Sequence, residues 1–142
     1  MSDTRPAPAN KGFCRKFPKA MSAVDDARLA VLDFLEPLAL QDKVVNRLEV
    51  VLEELVTNVV RHADEATHVQ VSASPSKEGL CLCVEDDGAA FNPLEHDGHT
   101  PFETLDDAQI GGLGIPLIKR LSQSVEYARV GDANQIRAVI AA

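Results

Sequence analysis

No stretch of this chain approaches the ~20 consecutive apolar residues that a membrane-spanning helix needs. The N-terminal run MSDTRPAPANKGF lacks the apolar centre of a secretory signal. The expectation is therefore a protein with no membrane segment, located in the cytoplasm. Basic residues are also scarce: 14 Lys plus Arg stand against 22 Asp plus Glu, a formal charge of -8. Such a surface repels phosphate backbones, so direct nucleic-acid binding is not expected. Any action on gene expression would run through other proteins. A small basic pocket for a nucleotide stays compatible with this balance. Cysteines number only 3, an odd count without zinc-site spacing. Cys81 and Cys83 sit two apart in a strand-like run and so share one sheet face. Core packing is their expected role.

What is present suits one domain. The 142 residues are 45% apolar and 25% charged, ordinary values for a globular chain. A chain this long buries roughly two thirds of its unfolded surface, enough for a core without staples. Residues 1–12 read as a flexible tail and 13–142 as a single domain. GFCRKFP reads as a short edge strand. Ser22 opens a helix with Asp25 and Asp26 in its first turn. Val24, Ala27, Val31, Phe34 and Leu35 continue it at helical spacing until Pro37. After the connector LALQD, a second helix runs from about Asp42 to His62.

Val69, Val71 and Ala73 alternate with polar neighbours, as do Leu80, Leu82 and Val84. With the turn cluster SPSKEG between them they predict an antiparallel hairpin. From Gly88 to about Gly111 there is no clear period, and a loop that long is usually a lid or disordered. GIPLIKRLSQS reads as a short helix. VEYARV and QIRAVIA are the last strands, joined by Gly131, Asp132, Ala133 and Asn134. The order predicts an α+β fold, one antiparallel or mixed sheet with helices on one face.

Three stretches carry candidate chemistry. In LEELVTNVVRHA, residues 52–63, an apolar stripe runs through Leu52, Leu55, Val56, Val59 and Val60. Glu54 and Asn58, four apart, project together at roughly 110° from the stripe. Arg61 falls near them, and His62 lies between them and the stripe. That flank can line a cleft. An amide oxygen can ligate Mg²⁺ without adding charge, a carboxylate one turn earlier can take a proton, and an arginine one turn later can hold phosphate oxygens. A solvated flank with an incidental i,i+4 pair is the plain alternative.

VEDDGAAFNP, residues 84–93, ends an apolar strand in Asp86, Asp87 and Gly88. It is either a simple turn or a carboxylate that accepts from an exocyclic amine, with Gly88 allowing close approach. IGGLGIPLIKRL, residues 110–121, sets Gly111, Gly112 and Gly114 before a helix with Pro116 in its first turn. It is either a hinge or a phosphate cradle. It is neither a Walker A loop nor a Rossmann fingerprint. His96 and His99 read as exposed loop histidines, and His68 as the start of a strand.

Taken together and in this order, Glu-x-x-x-Asn, Asp-x-Gly and Gly-Gly-x-Gly resemble the GHKL ATPases, the group of gyrase, heat-shock chaperones, histidine kinases and mismatch-repair ATPases. Within it the chain is most similar to the small bacterial anti-sigma-factor serine kinases. The likeness spans about residues 20–142 and rests on EELVTNVVRHA, VEDDGAAFNP, GGLGIPLIKRLSQSVEYAR and GDANQIRAVI.

The resemblance implies a two-layer α/β sandwich of the Bergerat, histidine-kinase-like type, with a mixed, mainly antiparallel sheet. It implies Glu54 as catalytic base and Asn58 as Mg²⁺ ligand. Arg61 would be a phosphate contact and Asp86 the adenine acceptor, with Gly88 beside it. Gly112 and Gly114 would be phosphate-contacting glycines. His62, Gly111 and Leu113 count among the cofactor-binding residues, and an ATP lid falls at about 89–110. The implied cofactors are ATP and Mg²⁺. The implied activity is serine/threonine phosphorylation of an anti-anti-sigma, STAS-type partner by a protein that also binds a sigma factor and forms a homodimer. The alternative is a non-catalytic partner-switching module that acts by docking.

Overall fold

The computed structural model of the chain describes residues 12–95 and 114–141. The tail up to residue 11, most of the expected lid, His96, His99, Gly111, Gly112 and Leu113 lie outside the described residues. Eight main elements follow one another: β1 (Phe13–Pro18), α1 (Ser22–Leu35), α2 (Asp42–His62), β2 (His68–Ser76), β3 (Gly79–Asp86), α3 (Ile115–Leu121), β4 (Ser124–Val130) and β5 (Ala133–Ala141). The strands form one sheet in the order β1-β2-β3-β5-β4. Every pairing in it is antiparallel. This is the expected α+β sandwich.

Strand periodicity decides which side the helices cover. Val69, Val71, Ala73, Leu80, Leu82, Val84, Ile136, Ala138 and Ile140 are buried on one face. Their alternate neighbours stay half-buried or exposed on the other. Cys81 and Cys83 do share a face, but it is the one away from the helices, so neither joins the core. Burial in that surface pushes the Cys83 thiol pKa up, only partly offset by Arg137, so it is a poor nucleophile.

α2 spans the range its pattern predicts. Leu48, Val51, Leu52, Leu55 and Val56 are almost wholly buried, a stripe set by the 3.6-residue repeat; Val60 lies at its half-exposed margin. In α1 the buried positions are Ala23, Ala27, Val31 and Leu35, with Val24 and Phe34 at the margin. α1 stops at Leu35 because Pro37 enters a short 3₁₀ turn, Glu36–Leu38.

Two details adjust the sequence reading. β2 continues through Pro75, where the pairing with β1 has already ended at Phe13–Ala73. A missing N–H does no harm on that free edge. The last hairpin turns on only two residues, Gly131 and Asp132, with Gly131 at φ +59, as a two-residue loop with glycine first requires. Ala133 and Asn134 therefore belong to β5 instead of the connector. The correction matters, because it turns Asn134 inward beside Asp86, its register partner on β3.

Candidate functional site

The C-terminal half of α2 runs over the end of β3, and an apolar cavity opens between them. Its enclosed space is about 30 Å³, and about 400 Å³ with the open mouth counted. Leu55, Val59, Val84, Phe91, Pro93 and Ile136 supply apolar walls, and Asn58, Asp86 and Asn134 supply the polar groups. Apolar walls with a few convergent polar groups suit a flat heterocycle with hydrogen-bonding edges.

α2 is held at this end by Lys19. Its Nζ donates to the carbonyls of Ala63 (2.8 Å) and Asp64 (3.3 Å). A cation there satisfies orphan acceptors and complements the helix dipole. Asn58 lies in the cavity wall at 9% exposure.

Asp86 and Asp87 are neighbours with separate tasks. Strand alternation sends Asp86 to the helix side, where it is 7% exposed. Its Oδ1 accepts from the Gly88 N–H (2.8 Å) and from Asn134 Nδ2 (3.0 Å). Asp87 lies on the opposite side and accepts from the backbone N–H groups of Thr67 (2.7 Å) and His68 (3.1 Å) and from the Thr67 hydroxyl. Those bonds, the Thr67 hydroxyl foremost, hold the Asp87 carboxyl well below the usual carboxylate range. His68 also places Nδ1 3.4 Å from Asp87 Oδ2. Asp87 thus ties the β2 entrance to the β3 exit and leaves Asp86 to face the cavity.

Gly88 leaves little room for a side chain. A Cβ there would stand 3.0 Å from Asp86 Oδ1 and 3.2 Å from the Ala66 nitrogen. The loop beyond is held from β4 and β5. Arg129 donates to the Gly88 carbonyl (2.8 Å), and Asn134 Nδ2 donates to the Ala89 carbonyl (2.8 Å). Asn92 Oδ1 accepts the Leu94 N–H (2.9 Å) and caps the 3₁₀ turn Pro93–Glu95.

At the other end of the flank Glu54 meets the glycine stretch. Gly114 precedes α3 at φ +66, and a Cβ on it would fall 1.9 Å from Glu54 Oε1. Only glycine permits both that backbone and that approach. Glu54 has no hydrogen bond or ion pair among the described residues. Burial pushes its pKa up, the neighbouring Glu53 adds to this, and Arg61 opposes it. Arg61 is exposed. His62 is half-buried, and burial lowers its pKa, with Arg61 adding and Asp64 opposing. His62 does not line the cavity.

Of the residues singled out in the sequence, then, Asn58 and Asp86 share a cavity, Gly88 braces Asp86, and Glu54 touches Gly114. Arg61 acts on Glu54 through its charge. Asn134 and Tyr127 were missed. The signal was there for Asn134: the period-2 series Asn134, Ile136, Ala138, Ile140 runs back through it.

Comparison with known proteins bears on the fold and the family. Five antiparallel strands with helices over one face make a two-layer α/β sandwich. The model of the histidine kinase-like ATPase domain matches residues 17–140. The chain is 30% identical over 112 residues to the serine/threonine-protein kinase BtrW of Bordetella bronchiseptica, covering 74% of this chain and 79% of BtrW. It is 33% identical over 76 residues to the sensor histidine kinase CpxA of Escherichia coli, covering 51% of this chain but only 16% of CpxA. In three dimensions it overlays the SiaB–SiaC complex of Pseudomonas aeruginosa at a TM-score of 0.63 and 16% identity, covering 90% of this chain and 89% of that one. A Mycobacterium tuberculosis structure of RsbU and RsbW domains gives 0.64 at 13% identity, covering 94% of this chain and 32% of that one. At these identities the two overlays speak for the fold alone. The chain belongs to the histidine kinase-like ATPase family.

Proposed function

We propose that this chain binds ATP with Mg²⁺ and phosphorylates a serine or threonine of an anti-anti-sigma, STAS-type partner, controlling a sigma factor in the cytoplasm as a homodimer. The observation that carries the reading is that the Glu54–Asn58 flank serves two neighbouring features. Asn58 lines a cavity with Asp86, and Glu54 abuts Gly114. A purine would sit between the apolar walls with its amine on Asp86. The triphosphate would extend along α2 toward the glycine turn and Arg61. Asn58 offers an uncharged oxygen donor at the point where base and phosphates meet. No group of three or more acidic, His or Cys side chains suited to a metal exists among the described residues. Mg²⁺ takes few protein ligands and completes its shell with phosphates and water. When bound it would neutralise phosphate charge.

In transfer, Glu54 takes the proton of the partner's hydroxyl. The hydroxyl oxygen forms its bond to the γ-phosphorus as the bond to the β,γ-bridging oxygen breaks, and ADP leaves. Most of the acceleration in such a reaction is positioning and charge stabilisation. A carboxylate whose pKa is raised by burial is a stronger base near neutral pH. The similarity to BtrW supports the kinase assignment.

A second reading, a docking module that binds nucleotide without transfer, is favoured by one feature: residues 94–110 contain neither Lys nor Arg. Incubating the protein with γ-labelled ATP and a STAS-type partner separates the two. Transfer that falls by about 10²–10⁴-fold in Glu54→Gln, with nucleotide affinity kept, is the expected result. Tight ATP binding without label on any partner would leave the docking module. Asp86→Asn should weaken ATP by roughly tenfold or more, and equal wild-type affinity for ATP and GTP would contradict the role of Asp86.

A further inference from the structure

Asn134 uses its whole amide. Its Oδ1 accepts from the Tyr127 hydroxyl (2.6 Å) and from the Phe91 N–H (3.1 Å). Its Nδ2 donates to Asp86 Oδ1 (3.0 Å) and to the Ala89 carbonyl (2.8 Å). The orientation of the amide is settled by chemistry. The Phe91 N–H can only donate, so an oxygen must face it; the Ala89 carbonyl can only accept, so the NH₂ must face it. At 4% exposure no water competes freely for these groups. The consequence falls on Asp86. Its Oδ1 already takes two donors, from Asn134 and Gly88, and Oδ2 has no hydrogen bond among the described residues.

We propose that Asn134 is the positioning residue for base selection. It clamps one oxygen of Asp86, so that the other alone remains to accept from a ligand's exocyclic amine, and it ties the 86–91 loop to β5 so that this oxygen keeps its place. The proposal rests on the reading of Asp86 as the acceptor for the purine amine. It adds that the acceptor is aimed by β4 and β5, through Tyr127 and Asn134, and not by the glycine turn alone.

The test measures wild type, Asn134→Asp and Tyr127→Phe by calorimetry with Mg-ATP and with the Mg complex of purine riboside triphosphate, which lacks the 6-amine. Asn134→Asp keeps acceptors for Tyr127 and Phe91 but sets a carboxylate oxygen against Asp86 Oδ1 and the Ala89 carbonyl. Tyr127→Phe removes one bond to Oδ1 at nearly constant volume and serves if the first variant does not fold. Wild type should prefer ATP by roughly ten- to a hundredfold, the worth of a hydrogen bond to a charged group. In Asn134→Asp that ratio should fall close to one while affinity for the deaminated nucleotide changes little, and Tyr127→Phe should lower the ratio by a few-fold. A general structural defect would weaken both nucleotides alike and leave the ratio standing. A wild-type ratio kept in both variants overturns the role of Asn134. A wild type that does not distinguish the two nucleotides sinks instead the underlying assignment of Asp86. The chain has no tryptophan and Tyr127 is its only tyrosine, so tyrosine emission reports on the Asn134 contact in wild type and in Asn134→Asp.

Discussion

The two ends of the α2 flank are built on opposite terms. At the Asp86 end polar groups are bonded within the protein, all but one carboxylate oxygen of Asp86: Asp86, Asn134, Tyr127, Gly88 and Ala89 form one bonded set under apolar cover. At the Glu54 end a half-buried carboxylate has no hydrogen bond among the described residues, presses on a glycine, and has its pKa pushed up by burial. A bonded set fixes geometry, which recognition needs. A desolvated, unpaired carboxylate is costly to keep and therefore ready to take a proton. The difference separates binding from chemistry along a single helix.

The sharpest break is Gly114→Ala. A left-handed alanine costs about 1–2 kcal/mol by itself, and its Cβ would overlap Glu54 Oε1. We expect a melting temperature lower by several degrees and about a hundredfold loss of phosphoryl transfer from displaced groups. The double variant with Glu54→Ala should melt above Gly114→Ala alone, because the overlap is gone; an additive loss would mean that the contact is not what makes Gly114 obligatory. Next comes Asn58→Ala, which strikes between the two ends. Calorimetry with and without Mg²⁺ should show the metal-dependent part of ATP affinity lost, beyond the ~10–100-fold that even an outer-shell partner costs. The fold should survive, since the apolar stripe is untouched. Unchanged affinity would count against Asn58 as the metal's ligand.

Smaller effects test whether stability and binding are truly divided. Asp87→Ala removes the bonds to Thr67 and His68, so it should lower the melting temperature by a few degrees at pH 7 with ATP affinity unchanged. The folded pKa of Asp87 is depressed, so its contribution is present above the ordinary carboxylate pKa of ~3.9 and fades as pH falls below it. The gap between variant and wild type should close over that acid range. Glu54→Gln should act in the opposite sense. Its folded pKa is raised, so the charged carboxylate costs stability at neutral pH, and the penalty disappears below the ordinary value of ~4.3. A melt at pH 7 should therefore show the variant slightly more stable than wild type, and a melt near pH 4 should show the two nearly equal. Greater stability of wild type at pH 7 would contradict the desolvated state of Glu54.

The sequence by itself determined the helices, the strand faces and the identity of the polar residues at the helix flank, because local periodicity of 3.6 or 2 repeats over many positions. Asp42–His62 and the alternation through Leu80, Leu82 and Val84 were legible for that reason. Only the tertiary structure decided which of two adjacent aspartates meets the cavity, that Asn134 lies opposite Asp86, and that Glu54 touches Gly114. Those facts depend on register between strands and on contacts between residues 41 to 60 positions apart. A one-residue change of turn length moves a side chain to the other face of the sheet, and no local pattern records which partner lies opposite.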